Sequence, residues 1–223
     1  MNLKKCLASF FILFIFSVSH TFASSSLEGM LKSEKLSNND LGKIKSFLND
    51  NPKNTIKSFL AIIKDDNYPD RSRWLSLVLI SKSMGKKSIP LLKKYLTHPK
   101  WIIRSAAVKS LKSLGISDLD KEYKNLLKDS SYVIREQVLD TISTFKIKNL
   151  GNDVLKMLGD KTNYIKTKKG MVPSEVIKKI ISTLVKLEKK EAIPVLAKIS
   201  KTEVGKNIKS ELQFALNTLS KVN

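Results

Sequence analysis

Two arginines occupy matching places in two copies of one pattern. His98-Pro-Lys-Trp-Ile-Ile-Arg104 is followed by Asp129-Ser-Ser-Tyr-Val-Ile-Arg135, and Val108, Leu111 and Leu114 find counterparts in Leu139, Ile142 and Phe145. The step from Arg104 to Arg135 lies within the range of stacked structural repeats. A guanidinium is a planar fork of donors suited to a carboxylate or a phosphate. Arg104 and Arg135, one repeat apart, are therefore candidates for a ligand-holding ladder. Trp101 and Tyr132 are separated by the same step. Such an aromatic row either meets a ligand or covers the apolar seam between repeats, as aromatics that dominate buried area do.

A second group lies where the period breaks. The step from Leu139 to its counterpart Ile181 is longer than the step from Val108 to Leu139, so extra chain is inserted inside the fourth repeat. The segment Asn163-Tyr-Ile-Lys-Thr-Lys-Lys-Gly-Met-Val-Pro173 fills the gap. It holds Tyr164, Lys166, Lys168 and Lys169, an aromatic beside three cations, which suits an anionic polymer or a protein partner. Insertions in repeat arrays map to loops, often on one functional face. The plainer reading is a tolerated surface loop.

Residue types needed for a catalytic or metal centre are scarce. Cys6 is the sole cysteine, and His98 is the one histidine beyond His20. No glycine-rich phosphate loop, Gly-x-Ser-x-Gly elbow, His-Glu-x-x-His or calcium-loop pattern occurs. The Asp65-Asp66 and Asp118/Asp120 pairs fall at turns and helix starts, where aspartate caps helices. The expectation is no catalytic residue, no metal and no cofactor.

Helices must position these groups. Ser37-Asn-Asn-Asp40 is a helix start, and Leu41, Ile44, Phe47 and Leu48 then recur at helical spacing. Asn49 to Pro52 breaks that helix, and Ile56, Phe59, Leu60 and Ile63 define the next. A helix from Arg71 to Met84 ends at Gly85. Short helices over Ile89–Leu96, Asp118–Leu127 and Asn149–Leu158 precede longer ones ending near Leu114, Phe145 and Leu187. Thr202 caps a final helix carrying Ile208, Leu212, Leu216 and Leu219. No stretch alternates apolar and polar residues long enough to predict a strand.

The pairs resemble HEAT repeats, in their length the short HEAT-like class first described in phycobilisome lyases. Pro99, Ile103-Arg104 and Ala107-Val108 carry the resemblance, with Ser130, Val133-Ile134-Arg135 and Val138-Leu139. It is strongest over 86–146 and covers most of 52–220; Ile177 and Lys209 stand at the arginine position of the last two pairs. The resemblance implies an all-α, right-handed α-solenoid, an armadillo- or HEAT-like superhelix of about five helix pairs, its concave face made by second helices. It also implies a structural role for the arginine, which in such repeats pairs with an aspartate of a neighbouring turn, here Asp129 for Arg104. It implies no activity, because unrelated proteins share these repeats.

The N-terminus reads as an export signal: Lys4-Lys5, an apolar stretch from Leu7 to Val18, and Thr21-Phe22-Ala23 as a cleavage site. The expected organisation is a signal peptide over 1–23, N-terminal capping helices over 24–51 and a repeat domain over 52–223. The product is then exported, periplasmic or secreted, with no membrane span after signal removal; an uncleaved anchor is the alternative. The chain carries 41 basic and 20 acidic residues, a formal charge of +21. That field attracts polyanions and acidic proteins, yet only Arg71, Arg73, Arg104 and Arg135 are arginines, so it is mainly a diffuse lysine field. The leading expectation is a non-catalytic scaffold of the cell envelope that binds a protein, an acidic one being favoured by charge. The alternative is a basic solenoid binding nucleic acid or another anionic polymer. An enzyme of the bilin-lyase kind has the resemblance alone behind it.

Overall fold

The computed structural model describes residues 27–168 and 170–222. The expected signal peptide and Lys169 lie outside the described residues. Among the described residues the protein is all-α apart from one two-stranded sheet. The chain divides into two compact units between Pro90 and Leu91; the boundary expected between capping helices and repeats, at 51/52, falls inside the first.

In the first unit, residues 27–32 are helical, followed by α1 (Asn38–Asp50), α2 (Pro52–Lys64) and α3 (Asp70–Met84). The expected start of α1 is a full capping box. The Ser37 hydroxyl accepts from the Asp40 N–H at 3.1 Å, and the Asp40 carboxylate accepts from the Ser37 N–H at 2.9 Å, which satisfies two donors the helix itself cannot. Pro52 occupies the first turn of α2, where its missing N–H costs nothing. The Thr55 hydroxyl donates to the Phe47 carbonyl at 2.8 Å and ties α2 to the end of α1. Ile44, Phe59, Ile62, Ile63, Leu77 and Ile80 close the core.

Helix α4 (Ile89–Tyr95) leads into the second unit, which contains α5 (Trp101–Ser113), α6 (Asp120–Leu126), α7 (Tyr132–Phe145) and α8 (Gly151–Lys156). The hairpin strands β1 (Tyr164–Thr167) and β2 (Gly170–Pro173) come next, then α9 (Glu175–Lys186), α10 (Ile193–Ser200), α11 (Glu203–Lys206) and α12 (Lys209–Leu219). The longer helices pack in sequence order: α5 on α7, α7 on α9, α9 on α12. Ile103, Leu111, Ile134, Val138, Ile142, Ile177, Ile180, Leu184 and Leu212 fill these contacts and are buried.

Three helices of this row end in the same way. Gly115, Lys146 and Glu188 each take a positive φ, of 72°, 51° and 58°. The next N–H then reaches back to the last turn: Ile116 to Leu111, Ile147 to Ile142 and Lys189 to Leu184, each at 3.0 Å. This left-handed closure satisfies carbonyls the helix leaves open. Gly115 and Lys146 are one regular repeat step apart, and the interval from Lys146 to Glu188 is longer by the inserted length. The insertion is thus fully accommodated between α8 and α9.

The insertion departs from the sequence expectation by forming a β-hairpin. β1 and β2 pair antiparallel, with Tyr164 opposite Pro173 and Thr167 opposite Gly170. Such short strands cannot declare a period of two. The pairing is fixed instead by packing, since β2 lies against α9 and α11. The final helix also differs: Thr202 caps only α11, accepting from the Gly205 N–H at 3.2 Å, and α12 begins after a break. A Cβ on Gly205 would collide with the Ile199 carbonyl, so the chain passes there at backbone contact with the end of α10. Ile208 is buried at the break.

Candidate functional site

Arg104 and Arg135 share one anchoring arrangement and differ in one partner. The Arg104 Nη1 donates to the carbonyls of His98 and Pro99, at 2.7 and 2.9 Å. Its Nε and Nη2 grip both oxygens of Asp129, at 2.7 and 2.6 Å. Asp129 is itself buried, its side chain 6% exposed, and its Oδ1 accepts from the Ser131 N–H at 2.8 Å. One carboxylate thus closes the start of α7 and neutralises the arginine of α5. Arg104 thus ties the start of α5 to the turn before α7.

Arg73 extends the series backwards by the same step. Its Nε donates to the Ile63 carbonyl at 3.0 Å and its Nη1 to Asp66 at 2.5 Å, with the side chain buried. The spacing is present in the sequence, but the surrounding residues of that first pair do not match the later ones, so the equivalence is apparent only from the bonds.

Arg135, 5% exposed, repeats the backbone half of the Arg104 arrangement. Its Nη1 donates to the carbonyls of Asp129 and Ser130, at 2.6 and 3.3 Å. These residues stand one repeat step after His98 and Pro99. Among the described residues the carboxylate half is missing. Asp160, one repeat step after Asp129, caps its own turn by accepting from the N–H and hydroxyl of Thr162, at 2.9 and 2.8 Å. Arg135 Nη2 reaches only the Thr162 carbonyl at 3.2 Å, and Nε has no partner among the described residues.

Beside this position lies an open groove of about 1150 Å³. Its walls come from α7, α9, the first strand of the hairpin and Glu211 of α12. Tyr132 and Ile165, 61% and 53% exposed, line it. Glu136, Asp140, Glu175 and Glu211 share this lining with Arg135, Lys178 and Lys179. The lysines are already engaged. Lys178 donates to Glu175 at 2.8 Å and Lys179 to Asp140 at 2.8 Å. Lys112 bonds the other oxygen of Asp140, so one carboxylate joins α5, α7 and α9. Partial burial pushes Asp140 towards protonation, but the hydrogen bonds from both lysines outweigh it and hold its pKa below the usual value. Glu136 goes the other way: burial raises its pKa and the charge of Glu175 adds to this, against weaker opposition from Lys179 and Arg135.

The structure scatters the residues singled out from the sequence. Tyr164 lines the groove, its hydroxyl donating to the Leu158 carbonyl at 2.6 Å and its pKa raised by burial. Lys166 and Lys168 are exposed on the hairpin and do not line the groove. Trp101 is 46% exposed at the first position of α5, away from the groove lining. Trp101 and Tyr132 are thus both partly open to solvent, Tyr132 more than Trp101. The acidic residues of the groove are absent from the sequence-based candidates. Their signal is the polar spacing on second helices: Glu136 and Asp140 one turn apart, and Glu175, Lys178, Lys179 and Ser182 at the positions of one helical face. Among the described residues, no group of three or more His, Cys, Asp or Glu side chains is arranged to hold a metal ion. No helix among them is long and apolar enough to cross a membrane.

No protein-family model matches the chain, and no curated protein matches it. Among solved structures it is similar to the crystal structure of an engineered protein, a target of the Northeast Structural Genomics Consortium. The two share 15% identity with a TM-score of 0.48, over 88% of this chain and 96% of that one.

Proposed function

We propose that the chain is a non-catalytic, exported binding scaffold, an α-solenoid of HEAT-like repeats whose groove beside the hairpin takes a polypeptide segment of a protein partner. The groove carries this reading. Exposed apolar side chains rimmed by charge mark interaction surfaces, and Tyr132 and Ile165 stand in that setting. The solenoid reading is supported by the ordered packing of α5, α7, α9 and α12 and by the arginine environment that recurs one repeat later. Export rests on the leader pattern of residues 1–23.

The groove's charge weighs against an anionic polymer. Four carboxylates line it, and Lys178 and Lys179 are already paired, so a phosphate chain would meet repulsion with little free cation to offset it. The +21 formal charge then acts as a field over the rest of the surface. The test is binding to envelope proteins from the native source, measured with the intact protein and with Tyr132→Ser and Ile165→Ser variants. Both variants are expected to lose the captured partner while keeping the wild-type melting temperature, and binding is expected to persist in high salt. Binding indifferent to both substitutions, or abolished by salt as polyanion contacts are, would remove the proposal.

A further inference from the structure

We infer that the Nε–Nη2 edge of Arg135 is a docking point for a carboxylate of the partner, an aspartate side chain held bidentately as Asp129 is held by Arg104. The inference rests on reading the groove as a polypeptide site. Arg104 shows what this arginine position takes when complete. One edge of the guanidinium anchors to two carbonyls of the preceding turn, and the other closes on both oxygens of an aspartate. Arg135 has the anchor and, among the described residues, lacks the aspartate.

The reason is local. The equivalent residue of the next repeat, Asp160, keeps the capping half of the Asp129 role and bonds Thr162. Beyond it the chain turns into the inserted hairpin instead of a second helix. The Arg135 guanidinium still presents its fork of donors there. At 5% exposure it holds one Nε–H with no acceptor among the described residues and one long contact from Nη2 to the Thr162 carbonyl. A buried donor left unmade is costly, and a carboxylate is the acceptor that matches both donors of that edge. Arg135, Ser130, Tyr132 and Thr162 all line the groove; the Nε itself is covered, so an aspartate entering there reaches the edge by displacing the Thr162 carbonyl from it. Glu136 and Glu175 line the same space and would repel a bare anion. They select for a segment whose aspartate is accompanied by a basic residue.

The four arginines of the chain make the test direct, because each gives one Nε–H resonance. The intact protein is titrated with the dipeptide N-acetyl-Asp-Lys N-methylamide and, separately, with its Asn-Lys analogue, and these four signals are monitored. The expected result is a saturable shift of the Arg135 Nε–H with the aspartate probe. The asparagine probe should bind at least about tenfold more weakly, about 1.4 kcal/mol. Arg104, whose edge is filled, and exposed Arg71 should respond weakly and without saturation. Arg135→Lys, which keeps the charge but not the fork, removes one of the four signals and so assigns it to Arg135; the two probes on the wild-type protein then decide. No saturable shift at Arg135, or one matched by Arg71 or by the asparagine probe, overturns the inference. That failure leaves the groove reading standing, since it is tested separately at Tyr132 and Ile165.

Discussion

Arg104 and Arg135 differ less in their own chemistry than in the repeat that comes after each. Both sit in the first turn of a second helix and both grip the carbonyls of the turn before it. After Arg104 the next repeat supplies Asp129; after Arg135 the next repeat is interrupted, and its aspartate stays within its own turn. Here the Arg135 edge, without a carboxylate among the described residues, and the groove lie at the same place, beside the insertion. The segment that breaks the period is thus the one that lies beside the groove.

The comparison can be broken by substitution. Arg104→Met should cost about 3–5 kcal/mol in denaturant unfolding, because it strands the buried Asp129 carboxylate. Arg135→Met should cost about 1–3 kcal/mol, since it frees only carbonyl acceptors. Equal losses would mean that the two positions are equivalent after all. A smaller effect sharpens the electrostatics of the groove. The folded protein holds the Glu136 proton more tightly than the unfolded chain does, so this group favours folding at low pH and the benefit is lost as pH rises through its elevated pKa. Glu136→Gln should therefore raise the melting temperature modestly at pH 7 and leave it unchanged at pH 4. Asp140 runs in the opposite sense: its depressed pKa contributes stability above the ordinary carboxylate range, lost as pH falls through the folded value.

Much of the helical framework is legible in the chain. The apolar spacing marks α1 to α3, α5, α7 and α9, and Ser37, Gly85 and Gly115 mark ends that the backbone bears out. Lys146 and Glu188 close α7 and α9 with the same left-handed turn as Gly115, yet neither residue type announces a positive φ. The hairpin has no local signature, because Tyr-Ile-Lys-Thr pairs only with Gly-Met-Val-Pro among the described strands and the latter lies against α9 and α11, outside the segment itself. The insertion is visible as a broken period, but its most conspicuous residues, Lys166 and Lys168, are exposed and stand apart from the groove. The groove itself is made where separate helices bring Glu136, Glu175 and Glu211 to one space, a convergence that no local pattern encodes.

A pair of double-mutant cycles measures the asymmetry most directly. One couples Arg104→Met with Asp129→Asn, the other Arg135→Met with Asp160→Asn, each read by equilibrium unfolding. Residues in contact show interaction energies of about 0.5–3 kcal/mol, and uncoupled ones add within about 0.3–0.5 kcal/mol. The first cycle should give a coupling at the upper end of that range and the second should be additive. A coupling in the second cycle as large as in the first would mean that Asp160 does complete the Arg135 position, and that no carboxylate site is left open beside the groove.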